Sequence, residues 1–301
     1  MKMHYDRALF IFNGNKDDNE VQPMIKQVAP ELITYINDLT IKQTHSEEDL
    51  KDACNSSNKY DLLIIYGGDG TLHTAINVLA AMDETPVIML LPGGTCNDFS
   101  RALGIPQNIK NATSTLQNNR VEEIDVSAIN DNYFMNFAGA GLITEASENI
   151  DDQLKQTFGK ISYFLSAVQT FQQGGTKRFH LVVDGEEHEV DAVMVIVMNG
   201  CFIGTHHLPI NSISVKDELL DVIVVRESNM KTIKEWLSLS NLTSDNKDLD
   251  QITHFQGKKI SISADSSLEV DTDGEIYMET PIEIKMNDQP LKFLVGENFG
   301  D

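Results

Sequence analysis

Cysteine is scarce in this 301-residue chain. Cys54, Cys96 and Cys201 are odd in number, far apart, and show no CxxC spacing. A disulfide framework and a zinc finger are therefore excluded, and a reducing cytoplasm is the natural compartment. Basic residues are scarce as well: 23 Lys and Arg stand against 46 Asp and Glu, for a net charge of −23. No basic stripe interrupts that excess. This argues against a nucleic-acid partner and against firm docking on anionic lipid, and the surplus acid reads as solubility. No apolar run is long enough to span a bilayer. The opening "MKMHYDRALFIFNGN" carries charges close to its apolar stretch and no small-residue cleavage site, so it reads as a first strand and not a signal peptide. Repeats and low-complexity tracts are missing too. What remains is a chain of ordinary hydrophobic content, 41%, long enough for two domains with real cores.

What is present begins with alternation. "RALFIFN" (Arg7 to Asn13), "LTIKQT" (Leu39 to Thr44), "LLIIY" (Leu62 to Tyr66) and "PVIMLLP" (Pro86 to Pro92) read as strands. Ser46 starts "SEED", a helix cap with Asp49 three residues on, and "TLHTAINVLAAM" has helical spacing. Apolar strands separated by helices predict a parallel sheet covered on both faces, an α/β domain. Right-handed crossovers then place the turns after the strands along one edge. Near Asp125 the pattern changes. "RFHLVVDGEEHEVDAVMVIVMN" predicts a hairpin around Asp184-Gly185, and "LLDVIVV", "KKISISA", "SLEVDTDGEIYME" and "IEIKMNDQPLKFLV" follow as short strands. Helical spacing returns only near Phe158 to Gln172 and Met230 to Leu242. The reading is an α/β domain over 1–126 and an antiparallel β-domain over 127–301, whose last residues are free to fold back on the first.

Two stretches carry chemistry. "GGDGT" (Gly67, Gly68, Asp69, Gly70, Thr71) follows the third strand. Glycines between a strand and a helix let backbone N–H groups converge on an anion, and the helix N-terminus adds partial positive charge. Thr71 can cap that helix and offer its hydroxyl. Asp69 makes sense beside phosphate when a divalent cation stands between them. Alone, the motif reads equally well as a glycine turn with an Asp cap. The next strand, however, ends in "PGGTCNDFSRALGIP", which again brings glycines and a threonine (Gly94, Thr95), then Asn97, Asp98 and Arg101. On a parallel sheet both loops open on one edge, so two carboxylates and a guanidinium share a nucleotide-and-metal site. The triplet Asp-Gly-Glu occurs twice. At Asp184 to Glu186 it reads as a plain hairpin turn, and on pattern alone Asp273 to Glu275 reads the same way. His73 reads as a packed or surface histidine, His206-His207 as a loop, and Cys96 as a small packed residue. Phe134 and Phe137 read as core sooner than as an acyl groove.

Together, "GGDGTLHTAIN" and "GGTCNDFSRALGIP" closely resemble the signature of the diacylglycerol kinase-like lipid kinases, the superfamily that also holds sphingosine and ceramide kinases. The resemblance runs on through "IFNGN", "EIDV", "NFAGAGL", "VMNG", "VKDELLDV" and "VDTDGE". It implies a nucleotide domain like that of NAD kinase, a C-terminal β-sandwich and a cleft between them. It implies ATP phosphates over "GGDGT", with Asn13, Thr44, Gly68 to Thr71 and Thr95 matching nucleotide contacts. Asp69 and Asp98 would organise catalytic Mg²⁺, and Glu275 would match the base that takes the proton of a lipid hydroxyl. Asp217 would match a structural Mg²⁺ ligand, joined by the carbonyls of Ser214 and Leu219. The partners so implied are ATP and a lipid alcohol, met by transient contact with the inner membrane face; a homodimer is compatible with this picture.

Two departures stand out. Asn13-Gly14-Asn15-Lys16 lacks the proline and serine of the family loop, and Asp217-Glu218 replaces an Asp-Gly pair. The second exchange is expected to shift the loop's geometry and to relax selectivity towards Ca²⁺. Two alternatives remain: a NAD kinase, which shares "GGDGT" but not "PGGTCNDF", and a nucleotide-binding regulator without catalysis.

Overall fold

The computed structural model describes residues 4–14, 18–141, 175–208, 210, 212–227, 231–232, 235 and 250–300. The chain forms two compact units, Met1–Ile124 with Gln289–Asp301, and Asp125–Asp288.

The first unit is built on β1 (Tyr5–Asn13), α1 (Asp18–Leu32), β2 (Ile36–Thr44), α2 (Glu47–Asn55), β3 (Leu62–Gly67), α3 (Asp69–Leu79), β4 (Val87–Pro92), α4 (Asp98–Ala102) and β5 (Val121–Ile124). β1 to β4 are parallel, in the order β2-β1-β3-β4. Their interior residues explain why: Phe10, Ile11, Ile64, Ile65, Ile88 and Leu91 are buried, as strands covered on both faces require. α2 starts as its sequence predicts, with Ser46 Oγ accepting from the Asp49 N–H at 3.1 Å. α1 holds Pro23 and Pro30 yet still buries Val21, Met24, Val28 and Leu32 at helical spacing.

In the second unit β6 (Ser127–Ile129), β7 (Asn132–Phe134), β8 (Phe137–Gly141), β9 (Lys177–Val183), β10 (Glu186–Ala192), β11 (Met194–Met198), β12 (Phe202–Ile203), β13 (His206–His207), β14 (Leu220–Val225), β15 (Ile252–Gly257), β16 (Lys259–Ala264), β17 (Glu269–Thr272), β18 (Glu275–Glu279) and β19 (Ile282–Met286) follow. They pair as β10-β9-β16-β19-β6-β7 and β15-β14-β11-β8-β17-β18, with antiparallel neighbours throughout. One apolar cluster joins the two sheets, with Phe134, Phe179, Leu181, Ile260 and Ile284 from the first and Ala140, Val195, Val197 and Val222 from the second. The opposite face of the second sheet is buried as well, under Met194, Ile196, Met198 and Ile223. That double burial is why "MVIVM" is apolar at every position and does not alternate.

Two sequence readings change. β20 (Leu291–Leu294), grouped above with the β-domain strands, lies in the first unit between β4 and β5, the fold-back left open for the last residues. Phe293 is fully buried there, its ring 5.5 Å from that of Phe99. His206-His207 is not a loop: it pairs with Phe202–Ile203 as a two-residue ladder turned through Gly204 and Thr205, both at positive φ. Phe134 and Phe137 are core, as the sequence suggested, one in each apolar cluster. The helical segment read at Phe158 to Gln172 lies outside the described residues. Of Met230 to Leu242, only Lys231, Thr232 and Glu235 are described, and they are helical.

Candidate active site

In the first unit the parallel register sets the strand ends in a row. Asn13 is level with Thr44, Phe12 with Tyr66, and Gly67 with Pro92. Every loop singled out for nucleotide contact therefore leaves the same edge of one sheet. Strand order reverses between β2-β1 and β3-β4, which is where open α/β sheets bind ligands.

The two glycine loops touch backbone to backbone. A Cβ on Gly68 would lie 2.9 Å from the Gly94 Cα, and one on Gly94 would lie 2.5 Å from the Gly68 Cα. Any side chain at either position would push the loops apart, so glycine is required at both. Gly93 N–H donates to Gly67 O at 2.9 Å and ties them together. Asp69 opens α3 and is half-buried; its Oδ1 accepts from Phe99 N–H, at the start of α4, at 3.4 Å. The carboxylate of one loop thus reaches the helix that begins with Asp98, itself buried. Gly70, Gly94 and Thr95 are exposed at this edge.

Several side chains have duties that their spacing does not reveal. Gly68, not Thr71 or Asp69, is the N-cap of α3, because the helix begins two residues before Thr71. Thr71 instead lies against Gly67, where an added Cβ would meet it at 2.5 Å. Asn97 adopts φ 53° and closes its own loop: Gly94 N–H donates to Asn97 Oδ1 at 2.8 Å, and Asn97 Nδ2 donates to Gly94 O at 2.9 Å. Arg101 Nε donates to Cys96 O at 2.8 Å, so its guanidinium braces the loop. The Thr44 hydroxyl donates to Phe12 O at 3.1 Å. His73 is buried beside Asn77.

The second unit holds the other nominated residues. Glu275 is exposed at the start of β18, after a turn in which Asp273 and Gly274 have φ 52° and 98°. Asp273 anchors that turn: its carboxylate accepts from Met135 N–H and Asn136 N–H, each at 2.8 Å, and from Phe137 N–H at 3.0 Å. Gly274 N–H donates to Asp271, which is buried. Beside this anchor are two buried amide oxygens, Asn136 Oδ1 and Asn199 Oδ1, with no hydrogen-bond partner among the described residues. These anchors went unnoticed in the sequence, although "VDTDGE", "NFAGAGL" and "VMNG" flagged their neighbourhoods.

In the Asp217 loop, Glu218 occupies the left-handed region itself, at φ 58°. Its N–H donates to Asp125 Oδ2 at 2.7 Å, and Lys258 Nζ meets its carboxylate at 2.6 Å. The expected shift of geometry is thus met by a glutamate that accepts a glycine-like backbone. Asp217 Oδ1 accepts from Leu219 N–H at 3.1 Å. Burial lifts the Asp217 carboxyl above the ordinary aspartate range; the Leu219 N–H pulls it down, while Asp221 and Asp125 add to the rise. Burial lifts Asp125 as well. A cation at this loop would relieve the cost of charging both. Among the described residues, no three His, Cys, Asp or Glu side chains form a metal cluster on their own. A site at Asp217 therefore fits only with carbonyl oxygens completing it, and one at Asp69 and Asp98 only with phosphate oxygens doing so.

Comparison with known proteins decides the family. Residues 7–129 match the diacylglycerol kinase catalytic domain, and residues 137–295 match the YegS C-terminal NAD kinase beta sandwich-like domain. The chain belongs to the diacylglycerol kinase-like lipid kinase family. It is 32% identical over 302 residues to a Staphylococcus epidermidis protein named "Putative lipid kinase", covering 98% of each chain. A Staphylococcus aureus relative with the same description is 31% identical, again over 98% of each. Among solved structures, a "putative diacylglycerol kinase" from Bacillus anthracis superposes with a TM-score of 0.87 at 34% identity, over 97% of this chain and 96% of the other. The two matched domains correspond to the parallel-sheet unit and the antiparallel sandwich of this chain. Among the described residues no helix is long and apolar enough to cross a membrane.

Proposed function

We propose that this family member transfers the γ-phosphate of ATP, with Mg²⁺, to a hydroxyl of diacylglycerol or a related lipid. It would work as a cytoplasmic enzyme that meets the inner membrane face briefly, which suits a net charge of −23. One observation carries the reading: two glycine loops in backbone contact, with Asp69 bonded to the first turn after Asp98. Bare N–H groups and paired carboxylates at one sheet edge suit a nucleotide whose phosphates share a divalent cation. Bound Mg²⁺ would neutralise phosphate charge. Asp69 and Asp98 would hold it, while Asn13, Thr44, Gly68 to Thr71 and Thr95 would line the nucleotide. A primary alcohol is a weak nucleophile at neutral pH, and the Glu275 carboxylate would accept its proton as the O–P bond forms. Asp217, with the carbonyls of Ser214 and Leu219, would hold a structural Mg²⁺ or Ca²⁺.

Labelled ATP with a panel of lipid alcohols, and NAD as a control acceptor, tests the reaction. Asp69→Asn should fold normally and lose activity by on the order of a thousandfold, as expected when a metal ligand at the transferring phosphate is removed. Turnover near wild type, with ordinary Mg²⁺ dependence, would falsify the role of Asp69. The structural ion is tested without nucleotide. Mg²⁺ or Ca²⁺ should raise the melting temperature of wild type and not of Asp217→Ala, because a ligand of the folded state stabilises it by mass action. Equal responses in the two proteins would leave Asp217 a turn carboxylate.

A further inference from the structure

Taking Glu275 as the base proposed above, we infer that Asn199 is its positioning residue: Asn199 holds the buried segment on which the Glu275 turn is docked. Glu275 is exposed at the start of β18. It is tied locally by its pairing with Thr272 and by a bond from the Thr272 hydroxyl to Glu275 O at 3.3 Å. Both ties lie within the hairpin, so they shape the turn without fixing where its tip stands. The tip is placed by Asp273. Its carboxylate takes the N–H groups of Met135, Asn136 and Phe137, and its own N–H donates to Phe137 O at 3.1 Å. The turn is therefore held only as firmly as that three-residue segment.

Met135 and Asn136 lie between β7 and β8, so no sheet ladder supports them. Their carbonyls are taken by the residues that follow β11. Asn199 Nδ2 donates to Met135 O at 2.7 Å, and the N–H groups of Asn199 and Gly200 both donate to Asn136 O at 2.9 Å. The three N–H groups of the segment thus go to Asp273, and its three carbonyls go to Asn199, Gly200 and Asp273. All three residues are buried, so loss of either clamp strands polar groups away from water. Asn199 is itself fully buried, and its Nδ2 also donates to Asp125 O at 3.2 Å. Two carbonyl acceptors fix the orientation of the amide, because turned over it would present its oxygen to both. Its Oδ1 meets no donor among the described residues, so the Nδ2 group is what holds the side chain in place. Gly200 permits the close approach: a Cβ there would lie 2.7 Å from Asn136 Oδ1 and 3.1 Å from Asn136 Cα. A base must stand within hydrogen-bond reach of the proton it takes, and a displacement of about 1 Å costs on the order of a hundredfold in rate. Asn199 supplies that precision from behind the turn, without touching substrate.

Rates are measured with labelled ATP and whichever lipid alcohol of the panel is phosphorylated. Asn199→Ala should lower kcat by roughly tenfold to a hundredfold and leave the KM for ATP unchanged. In a Glu275→Gln background the same change should cost nothing further, since no base is left to misplace; a purely structural role would lower both rates by the same factor. Hydrogen exchange reads the clamp without catalysis. The amides of Met135, Asn136 and Phe137 should exchange faster in Asn199→Ala, while those of β9 and β16 stay as in wild type. Because loss of a buried amide threatens folding, Asp273→Asn is the second variant. It loosens the same segment from the other side and keeps one acceptor oxygen. It should show a smaller loss of kcat, an unchanged KM for ATP and no loss beyond that of Glu275→Gln. Equal factors in the two backgrounds, or unchanged exchange at Met135 to Phe137, would overturn the positioning role and leave Glu275 as the base. A Glu275→Gln variant as active as wild type, or a wild type that phosphorylates no lipid alcohol, would overturn the base and the positioning role with it.

Discussion

Asp184-Gly185-Glu186 and Asp273-Gly274-Glu275 are the same three residues in the same backbone form. Their first two φ angles are 49° and 90° in one turn, 52° and 98° in the other. Each joins two antiparallel strands, pairing Val183 with Glu186 and Thr272 with Glu275. In each, the aspartate carboxylate reaches out of the turn to hold backbone N–H groups of a distant segment. The difference is in what is held. Asp184 accepts from Lys258 and Lys259, both exposed. Asp273 accepts from Met135, Asn136 and Phe137, each no more than 4% exposed. Only the second turn is locked to a buried segment lined by amide oxygens in search of a donor. An Asp-Gly pair dictates the turn; the segment it docks against decides how firmly that turn is held.

The comparison breaks most visibly in catalysis. Glu275→Gln should lower lipid phosphorylation by about 10²–10⁴ and leave ATP binding intact, while Glu186→Gln stays at the wild-type rate. Equal losses in the two variants, or weakened ATP binding in Glu275→Gln, would remove the distinction. A smaller effect sharpens it in stability. Asp273→Ala strands three buried N–H groups, each costing about 1–3 kcal/mol, so chemical denaturation should show a loss of roughly 3 kcal/mol or more. Asp184→Ala frees donors that water reaches, and the loss should be about 1 kcal/mol or less. Similar losses would mean that the two anchors do the same work.

Much of this was legible along the chain. The strands after which the glycine loops leave, the Ser46 cap and the Asp184-Gly185 hairpin all follow from patterns within a few residues, whereas the need for glycine at Gly68 and Gly94 comes from the contact between two separate loops. α1 escaped notice because Pro23 and Pro30 lie inside it and mask its spacing. β20 looked like one more β-domain strand because period-two alternation says nothing of which sheet a strand joins. Asn97 and Arg101 looked like ligand contacts. Beyond that reading, each side chain also bonds within its own loop, Asn97 to Gly94 and Arg101 Nε to Cys96 O. Glu218 looked like a loss of backbone freedom. The cost of a left-handed non-glycine residue, about 1–2 kcal/mol, is opposed by the bond from its own N–H to the half-buried Asp125 carboxylate.

By itself the sequence determined what backbone sterics and short-range periodicity control: turn conformations, strand and helix positions, and a glycine-aspartate signature that points to phosphate. Only the tertiary structure decided which aspartate anchors a buried segment, which amides brace a loop, where Leu291–Leu294 pairs and which strand is left with an open edge. These depend on residues far apart in the chain, as with Asp273 and Met135, 138 positions away. Which of them come within hydrogen-bonding distance is set by the packing of whole sheets, and no local pattern carries that information.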